Sequence, residues 1–205
     1  MDEKIRILFL SANPRDTSRI RVDEEAREIF EKLEEGTARN SFELFKYPAT
    51  RTSDLQRLLM KHRPHIVHFS GHGSLTKEII LEGTSGRGKR VDRRAFADVF
   101  KILKDDVCAI VLNACFTKPQ ALALVEVIDY VVGINRTIGD KAAVSFAGTF
   151  YRALAFGRSV QEAFELGKVE LNLKGIRGAR ALELLVRQGI DVTKPLLHQK
   201  QTNRG

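Results

Sequence analysis

The chain reads as an α/β domain built on a mostly parallel sheet with helices on both faces, and three observations predict this. Apolar runs of five to eight residues, such as "IRILFLSA", "HIVHFSG", "CAIVLNA" and "YVVGIN", alternate with amphipathic helical stretches. Strands separated by helices favour parallel pairing with crossovers, and strands covered on both faces read as near-continuous apolar runs. The length of 205 residues, 43% of them hydrophobic, is that of one ordinary domain able to bury a substantial core. Residues 1–190 are therefore assigned to a single domain and 191–205 to a flexible polar tail, its last dozen residues frayed.

Taken in order, "IRILFLSA" is the first buried strand. "VDEEAREIFEKLEE" follows as a helix with Val22, Ala26, Ile29, Phe30 and Leu33 on its apolar face, closed by Gly36. The unit repeats with "FELFKYPA" and "TSDLQRLLMKH", where Thr52 or Ser53 is placed to cap the helix. "HIVHFSG" is the third strand, and "DRRAFADVFKIL" a helix. "CAIVLNA" leads into "KPQALALVEVI", and "YVVGIN" into the long helix "DKAAVSFAGTFYRALAFG". "SVQEAFELGKVEL" is a helix capped at Ser159, while "ARALELLVRQG" suits either helix or strand. Between the third strand and its next helix, "EIILEG" and "TSGRGKRVD" break the rhythm and suggest a hairpin or flap.

Composition excludes several function classes. The apolar runs fall far short of the roughly 20 residues that cross a bilayer, and "MDEKIRILFL" lacks the ordered regions of a signal peptide. A soluble cytoplasmic protein without a membrane partner is expected. Cys108 and Cys115 would lie about 23 Å apart along an extended strand, too far for a disulfide, which fits a reducing compartment. The net charge of +8 invites a nucleic-acid reading, but the excess sits in "RGKRVDRR" and the tail, without interleaved aromatics or a recognition-helix or zinc-finger spacing, so nucleic acid is not expected as a direct ligand. Gly83, Gly88 and Lys89 match the skeleton of a phosphate loop, yet Arg90 stands where a magnesium-binding hydroxyl belongs. His65 and His68 point to opposite faces of their strand, so they and His72 do not converge on a metal. No cofactor and no metal is expected; His68 reads as a buried, hydrogen-bonded core residue and Cys108 as mid-strand core.

Ligands of open parallel sheets gather beyond the carboxyl ends of the strands. "HIVHFSG" carries His72 to that edge, and "CAIVLNA" carries Cys115 there, preceded by Asn113. Gly71 and Gly73 allow a sharp turn and leave room beside the imidazole. Thiol and imidazole together are the minimum for nucleophilic acyl transfer, with thiolate attack on a carbonyl and protonation of the leaving amine. The backbone N–H groups of Gly73 and Cys115 are placed to form an oxyanion hole.

The stretches "PHIVHFSGHG", "IVLNAC", "ILFLSANPRD" and "YVVGINRTIGDKAAVSFAGTFYRALAFGRSVQEAFELG" together resemble the CHAT domain, a branch of the caspase-like cysteine peptidases, over residues 5–176. The resemblance implies the caspase-hemoglobinase fold, a three-layer sandwich, with His72 and Cys115 as catalytic dyad. The histidine in such enzymes mainly protonates the leaving group. It also implies that Asn113 helps line the pocket for the side chain preceding the cut, and that Asp140 resembles an acidic residue that receives Arg or Lys there. Asp140 can equally cap the following helix, and Arg136 nearby argues for an acidic side chain instead. Phe116-Thr117 replaces the small or polar pair of many relatives, which would narrow the crevice. The family implies an endopeptidase effector of bacterial antiviral defence or regulated cell death that cleaves a partner protein, activated by a separate sensor protein, by clipping of the basic flap, or by association. A catalytically silent module that binds a sensor or partner is the alternative. A TIR-like or flavodoxin-like reading of "KIRILFLSANP" leaves the placement of His72 and Cys115 unexplained.

Overall fold

The computed structural model describes residues 4–74 and 76–196. Its main sheet has six strands: β1 (Ile5–Ser11), β2 (Phe42–Tyr47), β3 (Ile66–Ser70), β7 (Ala109–Asn113), β8 (Tyr130–Ile134) and β9 (Leu182–Val186), in the order β2-β1-β3-β7-β8-β9. The first five are parallel, and β9 closes one edge antiparallel to β8. The ambiguous stretch "ARALELLVRQG" is thus a short 3-10 turn followed by an edge strand.

Alternation along the strands separates two cores. Ile7 and Phe9 of β1, Val111 of β7 and Val132 of β8 pack against α1 (Val22–Glu34), α5 (Asp140–Ala155) and α6 (Val160–Leu173). Leu8 and Leu10, Ile110 and Leu112, and Val131 face the other way onto α2 (Thr52–His62), α3 (Arg93–Leu103) and α4 (Lys118–Leu124). Both faces are covered, as near-continuous apolar strands require.

Local details depart from expectation in several places. Neither Thr52 nor Ser53 caps α2: Arg51 holds that position, and its N–H donates to the Asp54 carboxylate at 3.0 Å. Ser159 does cap α6, accepting from the Glu162 N–H, while Glu162 accepts from the Ser159 N–H. Helix α4 stops at Leu124, before the β-branched Val125 and Val127, whose side chains fit a helix poorly. Cys108 lies just ahead of β7 and is half-buried, not mid-strand. Residues 191–196, expected within a flexible tail, are docked: Pro195 bridges to Ser159, and Leu196 is buried. The rest of that tail lies outside the described residues.

The insertion after β3 forms a second, three-stranded antiparallel sheet of β4 (His72–Gly73), β5 (Ile79–Glu82) and β6 (Gly88–Val91). It is anchored to the loop after β1. The Gly88 N–H donates to Asp16 at 2.7 Å, the Arg15 N–H to the Gly86 carbonyl at 3.0 Å, and the Asn13 N–H to Glu82 at 3.2 Å. The side-chain amide of Gln120 on α4 donates to the Lys77 carbonyl from the other side. Among the described residues no helix is long and apolar enough to cross a membrane.

Candidate functional site

Strands β3 and β7 are hydrogen-bonded neighbours whose last residues, Ser70 and Asn113, pair in register. The chain beyond each must therefore leave the sheet at the same edge. His72 leaves within β4, paired to Ile80, so the imidazole is carried by the small sheet and not by a free turn. Cys115 follows β7 in a tight turn closed by the buried hydroxyl of Thr117. That hydroxyl lies 2.9 Å from the Ala114 carbonyl and accepts the Ile134 N–H at 3.1 Å, which ties the turn to β8. Phe116 between them has φ +61°, a left-handed conformation uncommon for a side chain of that size.

His72 and Cys115 line one narrow cavity of about 70 Å³, together with Asn113, Asp140 and Glu25. Phe116 does not line it. The Cys115 sulfur accepts the Ile138 N–H at 3.5 Å, and His72 Nε2 donates to the Ser18 carbonyl at 2.8 Å. Histidine and sulfur share no hydrogen bond. The Cys115 N–H donates to no acceptor among the described residues, which suits an oxyanion donor.

Gly73 explains its own identity. A β-carbon there would fall 1.6 Å from the Cys115 carbonyl oxygen, and the clashing atoms are backbone, so nothing can turn aside. The two peptide segments that carry imidazole and thiol are thus in direct contact. Gly73→Ala is expected to force them apart and lower kcat/KM on peptide amides by roughly a hundredfold, the cost of misplacing a reacting group by about 1 Å. Unaltered turnover would show that this contact does not set the geometry.

Asn113 and Asp140 differ in how they are held. Asn113 is buried, its amide nitrogen donating to Glu25 and, at 3.3 Å, to the Ala143 carbonyl, while its Oδ1 has no partner. Gly139 is the N-cap of α5, so Asp140 is not the capping residue, and its carboxyl has no hydrogen-bond or ion-pair partner among the described residues. Arg136 lies outside the cavity and donates to Asn135 Oδ1 at 3.1 Å. Arg21 at the rim pairs with Glu24 at 2.9 Å.

Glu25 was not anticipated. It projects from the apolar face of α1 with Val22, Ala26 and Ile29, and it is 3% exposed. One oxygen accepts from Ser70 Oγ at 2.6 Å; the other accepts from Asn113 and lies 2.7 Å from His68 Nε2. His68 in turn stacks on Phe9, and its Nδ1 is 3.1 Å from the Tyr151 hydroxyl. Burial pushes the Tyr151 phenol well above its ordinary pKa, and the nearby Glu25 adds to this, so the hydroxyl keeps its proton. A charged residue in register with a helix's buried face is the sequence signal that could have found it. Among the described residues no group of three or more His, Cys, Asp or Glu is placed to hold a metal ion.

Comparisons with known proteins give the chain a family and a fold. The family described as the CHAT domain matches residues 3–173. A Roc-COR-CHAT protease from an unknown prokaryotic organism is 28% identical over 166 residues, covering 75% of this chain and 15% of that protein. A probable protease of Gillisia limnaea is 22% identical over 153 residues, covering 74% of this chain and 27% of its own. The chain thus spans a small part of these relatives' length. Among solved structures, a secreted C11 cysteine protease from Bacteroides thetaiotaomicron, bound to an irreversible peptide inhibitor, superposes with a TM-score of 0.65 at 13% identity, covering 88% of this chain and 65% of that one. The Arg-specific cysteine proteinase gingipain R gives 0.61 at 11%, covering 94% and 48%. What is shared at such identity is the fold.

Proposed function

The chain belongs to the CHAT domain family, and from that premise we propose that it is a cysteine endopeptidase with His72 and Cys115 as its dyad. One observation carries the reading: thiol and imidazole, distant in sequence, line the same narrow cavity at the carboxyl edge of the sheet. Attack by the Cys115 thiolate on a peptide carbonyl forms an acyl-enzyme. The Cys115 and Gly73 N–H groups stabilise the oxyanion, and His72 protonates the departing amine. Water then releases the acyl group. The imidazole has to reach the leaving nitrogen and not the sulfur, so its present bond to Ser18 is compatible with this role.

The cavity favours a basic side chain before the cut. The Asp140 carboxyl lines it beside the unpartnered Asn113 oxygen, the Glu25 oxygens being taken up by Ser70, Asn113 and His68; Arg21 at the rim is paired to Glu24, and Arg136 lies outside. Guanidinium and ammonium groups are donor-only and match such acceptors. Protein substrates, activation by a further segment or a separate sensor protein, and a place in bacterial defence or cell death belong to the same proposal. The relatives, which carry this domain within much longer chains, support the regulatory part.

A library of tetrapeptide amides varied at the residue before the amide tests it. Arg and Lys are expected to lead, and Asp140→Ala is expected to lower kcat/KM for Arg about tenfold relative to Gln, as loss of one partner of a half-buried charge pair would. An unchanged preference in that variant would remove the basic pocket. Acidic residues leading in the wild type would reverse it.

A further inference from the structure

We infer that the groove beyond Ile138 is a second recognition site, which selects acidic residues flanking the scissile bond of the substrate; this rests on the peptidase reading above. The groove encloses about 660 Å³ and lies between the β8–α5 connection and the segment joining α6 to β9. Arg136 stands on one wall, and Arg177 and Arg180 stand on the other. Among the described residues no acidic side chain lines it. Arg177 and Arg180 have no hydrogen-bond or ion-pair partner among the described residues, whereas Lys118, Lys174 and Arg187 elsewhere are each paired to a carboxylate within 3 Å.

Its position ties it to the chemistry. Ile138, whose N–H meets the Cys115 sulfur, lines both the groove and the cavity of His72 and Cys115. The walls are fixed to each other: the Asn135 N–H donates to the Ala181 carbonyl at 2.9 Å, and Gly178 sits so close to Ile138 that a β-carbon would lie 3.3 Å from Ile138 Cγ1. An extended peptide advances about 3.3 Å per residue, so a chain cut at Cys115 reaches the arginines within a few residues. Guanidinium groups pair with carboxylates in forked geometry, which makes Asp or Glu the side chains of choice. The cavity itself takes a basic side chain and the groove acidic ones, so the preferred substrate is a charge-alternating segment.

Fluorescence anisotropy with the Cys115→Ala variant reads this without turnover. Three labelled peptide amides share one Arg-containing core and carry three Glu before it, three Glu after it, or Gln on both sides. At low ionic strength one Glu peptide is expected to bind about tenfold more tightly than the Gln peptide, and the ratio is expected to collapse at high salt. Arg177→Glu with Arg180→Glu should bring the ratio to one or invert it. Equal affinities, or no measurable binding of any peptide, would overturn the inference. So would a single-stranded oligonucleotide that binds more tightly than any Glu peptide and loses its binding in the same double variant. Labelling of wild-type Cys115 by a peptidyl acyloxymethyl ketone tests the peptidase reading separately, so either result can fail without the other.

Discussion

Cys115→Ala is expected to lower kcat/KM on peptide amides by roughly ten-thousand-fold or more, since removing a nucleophile leaves only binding and oxyanion stabilisation. His72→Ala should cost less, about a hundred- to ten-thousand-fold, the usual contribution of a positioned general acid. The double variant should be no worse than Cys115→Ala alone, because the two groups act in one covalent step. Stability distinguishes this from structural damage. Cys115 is half-buried, and its sulfur makes only weak contacts with the Ile138 backbone, so the variant should unfold at nearly the same urea concentration as the wild type. Turnover that persists in Cys115→Ala would exclude it as nucleophile; a large drop in unfolding midpoint would assign it to the scaffold instead.

Glu25→Ala is expected to have the largest effect on stability, a loss of about 3–5 kcal/mol by urea unfolding, the range found when one partner of a buried charged or hydrogen-bonded pair is removed. His68 is fully buried, and Ser70 and Asn113 are nearly so, so water does not readily replace the lost acceptor. Glu25→Gln keeps one acceptor oxygen but turns an NH2 group toward donors, and should cost about 1–3 kcal/mol. The effect should also reach the site. Ser70 and Asn113 are the last residues of β3 and β7, and Glu25 fastens both to α1. Loosening that link moves the two strand ends from which His72 and Cys115 depart, so kcat should fall along with stability. A variant as stable as the wild type would show that the network around Glu25 is incidental.

The sequence declared its layers because the central strands β1, β3, β7 and β8 are nearly apolar on both faces and amphipathic helices alternate with them, a pattern with few alternatives in a chain of this size. Placing His72 and Cys115 at one edge followed from parallel pairing, since consecutive parallel strands deliver their C-terminal ends to the same side. What stayed hidden depends on contacts made across the chain. The strand bearing His72 is two residues long and exists only because Ile79 and Ile80 pair with it; no local propensity marks so short an element. The need for glycine at 73 comes from the Cys115 carbonyl, a remote backbone atom. Asp140 looks like a helix cap in sequence because acidic residues favour that position; Gly139 takes it in the fold, which leaves the carboxyl for the cavity. Glu25 was concealed by its neighbours, as it sits among charged residues in "VDEEAREIFEKLEE" and only the helix's rotation sends it inward. The arginines of the groove lie on two separate connections, whose relative paths the sequence does not define.

Peptidase activity requires Cys115 to be the reactive thiol of a peptide-binding crevice and Cys108, also half-buried, to be a bystander. Mass spectrometry after exposure to an acyloxymethyl ketone bearing an Arg-terminated peptide tests this most directly, because adduct formation requires attack by the thiolate at the carbonyl site. A single adduct on Cys115 is expected, slowed by His72→Ala and outpaced by no version of the reagent lacking the peptide. Equal modification of Cys108 and Cys115, or modification of Cys115 at a rate independent of the peptide, would contradict it.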